Sequence, residues 1–542
     1  MADKRYTFRG KAVPLFRIGG TPVAEYSLGD QEATNLYCEG RKMTDHKLLN
    51  KSVILYFAVV FLGLFIFFTQ VHGLMPYDGD DWVNLSKMRA AIPKWHGFNP
   101  VKVLPEDLFP IVGYIAAYVV TPLLHDYVLS ISYVSSALFS GLITVYVYLF
   151  YRILVNRLEL PRYQAVSVSF LFLLFHFFIF KGKSGVSQYL FGTVNLTCVF
   201  HYLIPALLNL SVVEYFWGNR ERYSFQNHSI FLNSLLIFAI YLAIFSNILQ
   251  SIILAAFAFM SIMVRSYGER ISIKHWKDII CKNSFFVSIL GVWLVSLLFE
   301  SSGGRAKGIG HSFLSLPISA AVHNFAHASR QMNFVFLAFA AIILILAIIL
   351  LARQYKAKST DKVESPYLKI TAICAGSFVI TLVYLILVCS KADPNYIARS
   401  DVLISIWTWF ILLVCILMAY LLKENPKIYL AGPIIMLILL VEAIGNGGSL
   451  FESNMGRLSS RTCYAVDQDI LQQIITADQE GKTEMVLHVP KGDNRDNWPH
   501  PMYMGNNISN TLFRHGIIKK PIKITVQPDT SMNEKYQIPL QK

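Results

Sequence analysis

The stretch SVILYFAVVFLGLFIFFTQV, residues 52–71, decides the class of this protein. It carries no charge over about twenty residues, which is the length that an α-helix needs to cross the hydrocarbon core of a bilayer. Over the whole chain of 542 residues, 54% of the residues are hydrophobic and only 15% are charged. This composition excludes an ordinary soluble protein and predicts a polytopic membrane protein.

Further apolar segments follow, and together with residues 52–71 they predict eleven transmembrane helices. Residues 108–127 are also apolar, but Pro110 and Pro122 interrupt them, so we expect an interfacial or re-entrant segment there. The sequence thus predicts an all-α membrane domain at 52–447 with a first external loop at 72–127. The other predicted spans lie at about 128–151, 163–180, 196–217, 229–245, 247–264, 284–299, 334–352, 368–389, 402–422 and 428–446.

Lys and Arg cluster in the loops that follow every second predicted span, for example RILVNRLELPR at 152–162 and ARQYKAKSTDKVESPYLK at 352–369. If residues 1–51 lie in the cytoplasm, all of these basic loops are cytoplasmic, as the positive-inside rule requires. The net charge of +14 then belongs to loops that flank spans in a cell membrane, and we expect no nucleic-acid partner.

Residues 448–542 are polar, and the same orientation places them outside the cell. DQDILQQIITADQEG at 467–481 predicts a helix, whereas TEMVLHVP at 483–490 and PIKITVQP at 521–528 predict strands. About 95 residues are enough for a small α/β domain. We therefore expect an extracytoplasmic α/β domain at the C-terminus.

Three carboxylates fall within PYDGDDW, residues 76–82, at the mouth of the first span: Asp78, Asp80 and Asp81. They introduce DDWVNLSKMRAAI, whose apolar residues recur at helical spacing, as in a helix that lies on a membrane surface. Acids at such a position either cap free backbone N–H groups or form a functional site. Both interpretations stay open on the sequence.

The predicted external loops also contain basic residues, for which the orientation rule gives no reason. Together with the acids they suggest a site for an anionic lipid headgroup, although any one of them could be an ordinary polar loop residue. These residues are Lys181, Lys183, Arg305, Lys307, Arg330, Lys391 and Arg399.

Some polar or aromatic residues in or beside the spans are candidates to line a substrate site: Trp82, His201, Tyr202, Asn247, Gln250 and Glu442. An ionisable group inside a membrane is functional by default, but Glu442 is near a helix end and could simply reach the interface. His323 and His327 have the i, i+4 spacing of metal ligands, but no acid is near them, so we expect no metal or other cofactor.

The pair of acids in DGDDWVNL, residues 78–85, just after the first span, resembles the hallmark of the GT-C-type glycosyltransferases. The chain is most similar to those that modify bacterial surface polysaccharides and serotypes, and FGTVNLTCVFHYLIPALL at 191–208 resembles a recurring element of that group. The resemblance implies inverting transfer of a sugar from a polyprenyl-phosphate donor to an acceptor hydroxyl of a surface polysaccharide or glycolipid.

Such a transfer needs one base for the acceptor hydroxyl and cations for the departing phosphate. Asp80 is the first candidate for the base and Asp81 the second, with Asp78 as their support. The alternatives are a transporter or flippase for a lipid-linked sugar, or a non-catalytic subunit of cell-envelope assembly. A carrier is expected to place charges near the bilayer midplane, whereas the charges noted above crowd the outer rim.

Overall fold

The computed structural model describes residues 51–88, 100–180, 189–193, 195–219, 229–269, 275–302, 315–357, 366–426, 429, 431–445, 452–453, 458–493 and 496–540. The predicted segment 1–51 lies, except for Lys51, outside these residues. Contacts divide the chain into two compact units, Met1–Leu55 and Tyr56–Lys542. Apart from the first residues of helix α1, all structural features below belong to the second unit.

Helices make up most of the described residues. In chain order up to residue 445 they are α1 (Lys51–Val71), α2 (Gly79–Asn84), α3 (Val103–Leu124), α4 (Tyr127–Arg157), α5 (Arg162–Phe178), α6 (Leu196–Gly218), α7 (Ile230–Ile244), α8 (Ile248–Gly268), α9 (Trp276–Lys282), α10 (Ser284–Ser302), α11 (Ile318–Ser329), α12 (Phe334–Ala357), α13 (Pro366–Ala392), α14 (Ser400–Glu424) and α15 (Ala431–Gly445).

By length and composition, nine helices of the described part of the chain could cross a membrane: α1, α3, α4, α6, α8, α10, α12, α13 and α14. Three more, α5, α7 and α15, are apolar but shorter. The predicted all-α polytopic character is thus confirmed. The predicted spans correspond to eight of the nine long helices and to the three shorter ones, and the ninth long helix is α3.

The expectation that Pro110 and Pro122 interrupt residues 108–127 was wrong, because α3 is continuous from Val103 to Leu124. Pro110 lies within its first part, and a π turn over Ala116–Val120 precedes Pro122. The Thr121 hydroxyl donates to the Ala116 carbonyl (2.8 Å) in this turn. A π turn with a side-chain hydrogen bond lets the helix accommodate a proline without ending.

The ends of the helices form two groups. We call them the acidic end and the basic end, after the charged residues that mark each group. The acidic end carries α2 and the start of α6, where the Thr197 N–H donates to Asp81 Oδ1 (2.6 Å). The basic end contains part of the loops predicted to be cytoplasmic, and Lys423 Nζ contacts Glu159 Oε2 there (3.2 Å). Because these are opposite ends of antiparallel helices, loops alternate between them along the chain.

Both ends of α3 contact the acidic end. At its start, the Lys102 N–H donates to the Phe245 carbonyl (2.6 Å), and Lys102 Nζ lies 3.9 Å from Glu300 Oε1. Just after its last turn, Asp126 accepts hydrogen bonds from Tyr464 and from Gln468 Nε2. These contacts favour a helix that lies along the acidic end of the bundle.

The C-terminal elements are β1 (Glu452–Ser453), β2 (Leu458–Ser459), α16 (Ser460–Gln479), β3 (Glu484–Pro490), α17 (Met504–Arg514), β4 (Lys523–Asp529) and α18 (Thr530–Tyr536). The predicted helix and two strands are thus present, and β3 pairs with β4 in parallel. These elements pack on the acidic end, where Ser460 Oγ accepts from the Gly73 N–H (2.8 Å). They do not form a compact unit separate from the helices.

Candidate functional site

A capping box starts α2. Asp78 is the N-cap residue and accepts from the Asp80 N–H (3.1 Å), and Asp81 Oδ2 accepts from the Asp78 N–H (3.3 Å). Each carboxylate thereby satisfies a backbone donor that the helix leaves unpaired. The capping interpretation is therefore correct for Asp81, and the N-cap itself is Asp78.

Asp81 also joins α2 to α6. It is fully buried and accepts from the Thr197 N–H (2.6 Å), the Thr197 hydroxyl (2.6 Å) and the Leu196 N–H (3.4 Å). Tyr77 N–H (3.1 Å) is a further donor, besides that of Asp78. A carboxylate offers about four lone-pair positions, so these five donors occupy the acceptor capacity of Asp81.

Asp78 makes a second connection to α6 through Asn195, the N-cap residue of that helix. Asn195 Nδ2 donates to Asp78, and Asn195 Oδ1 accepts from the Cys198 N–H (2.8 Å). Burial raises the pKa of Asp78, and the neighbouring charge of Asp81 raises it further. Two helix caps and a buried acid pair thus form one connected unit.

Asp80 is the exposed member of the three acids. No hydrogen bond from a described residue reaches its carboxylate. Pro501 and Tyr503 cover the adjacent Gly79, where an added Cβ would lie 2.6 Å from Pro501 Cγ and 3.3 Å from Tyr503 Cε2. Asp80 is therefore the acid that can meet a ligand, beside a segment of the C-terminal region.

Arg399 is the basic candidate that the structure brings to this unit. Its Nη2 lies 3.0 Å from Cys198 Sγ, in the first turn of α6. Asp401 holds the guanidinium by two bonds, from Nε (3.0 Å) and Nη2 (2.5 Å). The group lies over the rings of Tyr202 (4.7 Å) and Tyr396 (5.2 Å), and a quarter of its side chain is exposed.

The other basic candidates are not brought to the acids by described contacts. Lys181, Lys183, Arg305 and Lys307 lie outside the described residues. Arg330 is exposed just after α11, near the place where the Asn333 N–H donates to the Ile179 carbonyl (2.8 Å). Lys391 lies in the last turn of α13.

Several predicted lining residues instead hold the fold together. Asn247 caps α8 and donates to the His201 carbonyl (2.7 Å). Gln250 donates to the Asp401 carbonyl (2.6 Å), and Trp82 is fully buried. Asn247 and Gln250 use their polar groups to cap or join helices, and Trp82 packs in the interior. None of the three therefore lines an open site. The side chain of Glu442, in α15, lies outside the description.

Sequence reasoning missed Glu214, which is fully buried in α6. Its carboxylate oxygens form no hydrogen bond with the described residues. Nearby in the bundle, the Tyr146 hydroxyl lies 3.2 Å from His176 Nε2. A sequence signal for it existed, because Glu214 is an acid inside the predicted span 196–217. The expectation that the charged residues crowd the outer rim was therefore wrong.

His323 and His327 are exposed on α11. Within the described ranges, no three His, Cys, Asp or Glu side chains are grouped so that they could hold a metal ion. Comparison of the chain with protein-family models, with curated proteins and with solved structures found no match.

Proposed function

We propose that the protein is an inverting membrane glycosyltransferase. It moves a sugar from a polyprenyl-phosphate donor to a hydroxyl of a surface polysaccharide or glycolipid. The observation that carries this proposal is the unit at the acidic end, in which a buried pair of acids joins α2, with its exposed Asp80, to the first turn of α6, which Arg399 contacts. The polar segment around this unit packs directly on apolar helices, so a lipid-linked donor and a polar acceptor can both approach it.

The reaction needs few groups because a polyprenyl phosphate is a good leaving group. The acceptor oxygen bonds to the anomeric carbon, and the bond from that carbon to the phosphate oxygen breaks. The acceptor proton passes to Asp80, and the electron pair leaves with the phosphate. A cation that contacts the phosphate stabilises the negative charge as it develops.

Asp80 suits the base better than its neighbours. Five donors fill the acceptor capacity of Asp81. Asp78 is buried and accepts hydrogen bonds from Asn195 and from the Asp80 N–H. Asp80 is at the second position of α2, on the surface. We therefore assign the two buried acids to positioning and Asp80 to proton transfer.

Arg399 suits the phosphate. Asp401 and Cys198 engage its Nε and Nη2 atoms, so the N–H groups of Nη1 keep no partner among the described residues. A guanidinium offers five N–H donors and binds phosphate well. Two tyrosine rings and Asp401 hold the group in place, which reduces the entropy lost when it binds.

The exposed surface of α3 supports a donor that arrives from the lipid. Tyr118, Val119 and Leu123 are exposed to 56%, 57% and 75%. Apolar and aromatic side chains on a helix along one end of a membrane bundle match the acyl boundary of a bilayer. A polyprenyl chain could run along the same boundary.

Glu214 favours a second candidate, a carrier for a lipid-linked sugar. Buried carboxyl groups inside a membrane bundle are costly and commonly mark transport pathways. A carrier would move the lipid-linked sugar between leaflets without breaking the sugar–phosphate bond. Breakage of the sugar–phosphate bond of the donor therefore distinguishes the transferase from the carrier.

The test uses the purified full-length chain in lipid nanodiscs with a panel of polyprenyl-phosphate sugars and with surface glycan from a host strain that lacks this protein as the acceptor. We expect one donor to release polyprenyl phosphate, and we expect Asp80→Asn to slow that release about 10²–10⁴-fold, the usual contribution of a general base. Glu534→Gln, which changes an exposed acid of α18, should leave the rate unchanged. Equal rates for Asp80→Asn and the wild type would contradict the assignment.

A further inference from the structure

A short segment of the C-terminal region covers the acid site. It runs from Asp496 to Tyr503 and is tied to itself by the Met502 N–H, which donates to the Asp496 carbonyl (3.2 Å). Pro501 packs against Gly79, the residue between Asp78 and Asp80. We call this segment the 496–503 loop. Its exposed side chains thus stand beside the proposed base.

Behind this loop, two buried polar side chains flank Tyr77, which is itself 2% exposed. The ring of His500 meets the ring of Tyr77 edge to face, at 5.1 Å between centroids. Burial raises the pKa of Tyr77, and the nearby Cys463 and Asp467, both from α16, raise it further. Neither His500 nor Asp467 hydrogen bonds, through its side chain, to any residue that the structure describes.

Burial lowers the pKa of His500 to about 4 and raises the pKa of Asp467 well above its ordinary value. Burial therefore favours the uncharged form of both groups. A protonated carboxyl group donates one hydrogen bond and accepts others, and a neutral imidazole does both. Buried polar groups nearly always have a partner, so two such groups beside Tyr77 indicate a place for a polar ligand.

The surface of the same region has the features of a sugar-binding site. Tyr503 is 49% exposed, and the charges of Asp80, Asp78 and Asp496 all lie near its hydroxyl group. The flat apolar face of a sugar ring packs against an aromatic ring, and its hydroxyl groups donate to carboxylates.

We infer that the 496–503 loop and α2 form the binding site for the acceptor glycan. Tyr503 is the platform for a sugar ring, and Asp496 and Asp80 accept from its hydroxyl groups. Polar groups of the glycan that enter beside Tyr77 give partners to His500 and Asp467. This inference rests on the proposed function and adds to it the side from which the acceptor hydroxyl reaches Asp80.

The probe is surface glycan from a host strain that lacks this protein, labelled at its reducing end with a fluorophore. Its affinity for the full-length chain is measured by fluorescence polarisation. We expect Tyr503→Ala to weaken binding at least about tenfold, the effect of losing an aromatic contact worth roughly 1.4 kcal/mol. Tyr503→Phe keeps the ring and should bind within about twofold of the wild type. Tyr267→Ala, which removes an exposed tyrosine ring from the last turn of α8, outside this loop, serves as the matched control.

Release of polyprenyl phosphate from the panel of donors is measured in parallel, with unlabelled glycan present as the acceptor. If the glycan binds through Tyr503 but no donor is consumed, the proposed function fails and the glycan site stands. If a donor is consumed but Tyr503→Ala binds glycan as the wild type does, the glycan site is overturned and the proposed function stands. Absence of glycan binding to the wild type would likewise overturn the site.

Discussion

At the scale of the residue, three neighbouring acids have three different roles. Asp78 caps α2 and binds Asn195, Asp81 binds the first turn of α6, and Asp80 faces outward. The division follows from helix geometry, because the N-cap and third positions point back to the free N–H groups whereas the second position points away. One short sequence therefore supplies both the anchor and the exposed acid.

The hydroxyl of Thr197 is expected to stabilise the link between α2 and α6. Thr197→Val removes its hydrogen bond to the buried carboxylate of Asp81 (2.6 Å). A bond to a charged group is worth about 1.5–3 kcal/mol, so the free energy of unfolding should fall by that amount. Thermal unfolding in detergent measures the change, and Thr197→Ser, which keeps the hydroxyl, should remain near the wild type. A Val variant as stable as the Ser variant would show that this bond is not an anchor.

The buried Asp78 should make stability depend on pH. Its raised pKa means that the folded protein holds a proton which the unfolded chain has already lost. Folding then takes up a proton, and the free energy of unfolding decreases as the pH rises from the ordinary carboxyl pKa through the raised value. Asp78→Asn removes this titration, so its unfolding temperature should vary less with pH over this range. An unchanged pH dependence in Asp78→Asn would contradict the raised pKa.

The sequence located the acids but could not divide their roles. The spacing of Asp78 and Asp81 is that of a capping box, but the sequence does not show which of the three acids the fold buries. Asn247 and Gln250 were mistaken for lining residues because a helix cap and a binding residue have the same polar character in a sequence. Asp467 and His500 reach Tyr77 only through tertiary packing, which periodicity does not reveal.

At the scale of the element, the packing of α3 on α2 depends on a glycine. A Cβ on Gly113 would lie 2.1 Å from the Leu85 carbonyl oxygen and 3.1 Å from His515 Cε1. The nearest atom is backbone, so it cannot move aside as a flexible side chain could. Close approach of helices at small residues is common in membrane proteins.

Gly113→Ala should therefore separate α3 from α2 and lower the free energy of unfolding by about 1–3 kcal/mol or more, as overpacking does. Gly141→Ala, in α4, is the matched control, because no atom of the described residues lies within 4 Å of its added Cβ. The control should be neutral or stabilised by up to about 1 kcal/mol through helix propensity. Equal melting temperatures for the two variants would refute the close contact.

At the scale of the whole molecule, the length of the apolar segments predicted most of the helices. The positions of the basic loops predicted which helix ends lie on the same side. Both signals are strong because a bilayer constrains every span alike. The continuity of α3 was missed since a proline rule for soluble helices ignores the π turn that accommodates Pro122. Glu214 lies near the end of the predicted span 196–217, where an acid can reach the interface, and only the packing shows that it is buried.

The orientation of the molecule is a prediction that reporters can check. A reporter fused after residue 300 or residue 447 should lie outside the cell, and one fused after residue 270 or residue 360 should lie in the cytoplasm. The reason is that the basic loops should stay on the cytoplasmic side. The opposite pattern would place Asp80 in the cytoplasm, away from an outward-facing surface glycan.

The sugar composition of the surface glycan in the native host is the most direct measurement of the central claim. Host cells carrying Asp80→Asn are compared with cells carrying the wild type or Glu534→Gln, at equal amounts of inserted protein. If Asp80 is the base, one sugar disappears from the glycan in Asp80→Asn alone, and that sugar identifies the donor. An unchanged glycan in Asp80→Asn, at a normal protein level, would contradict sugar transfer at the acidic end.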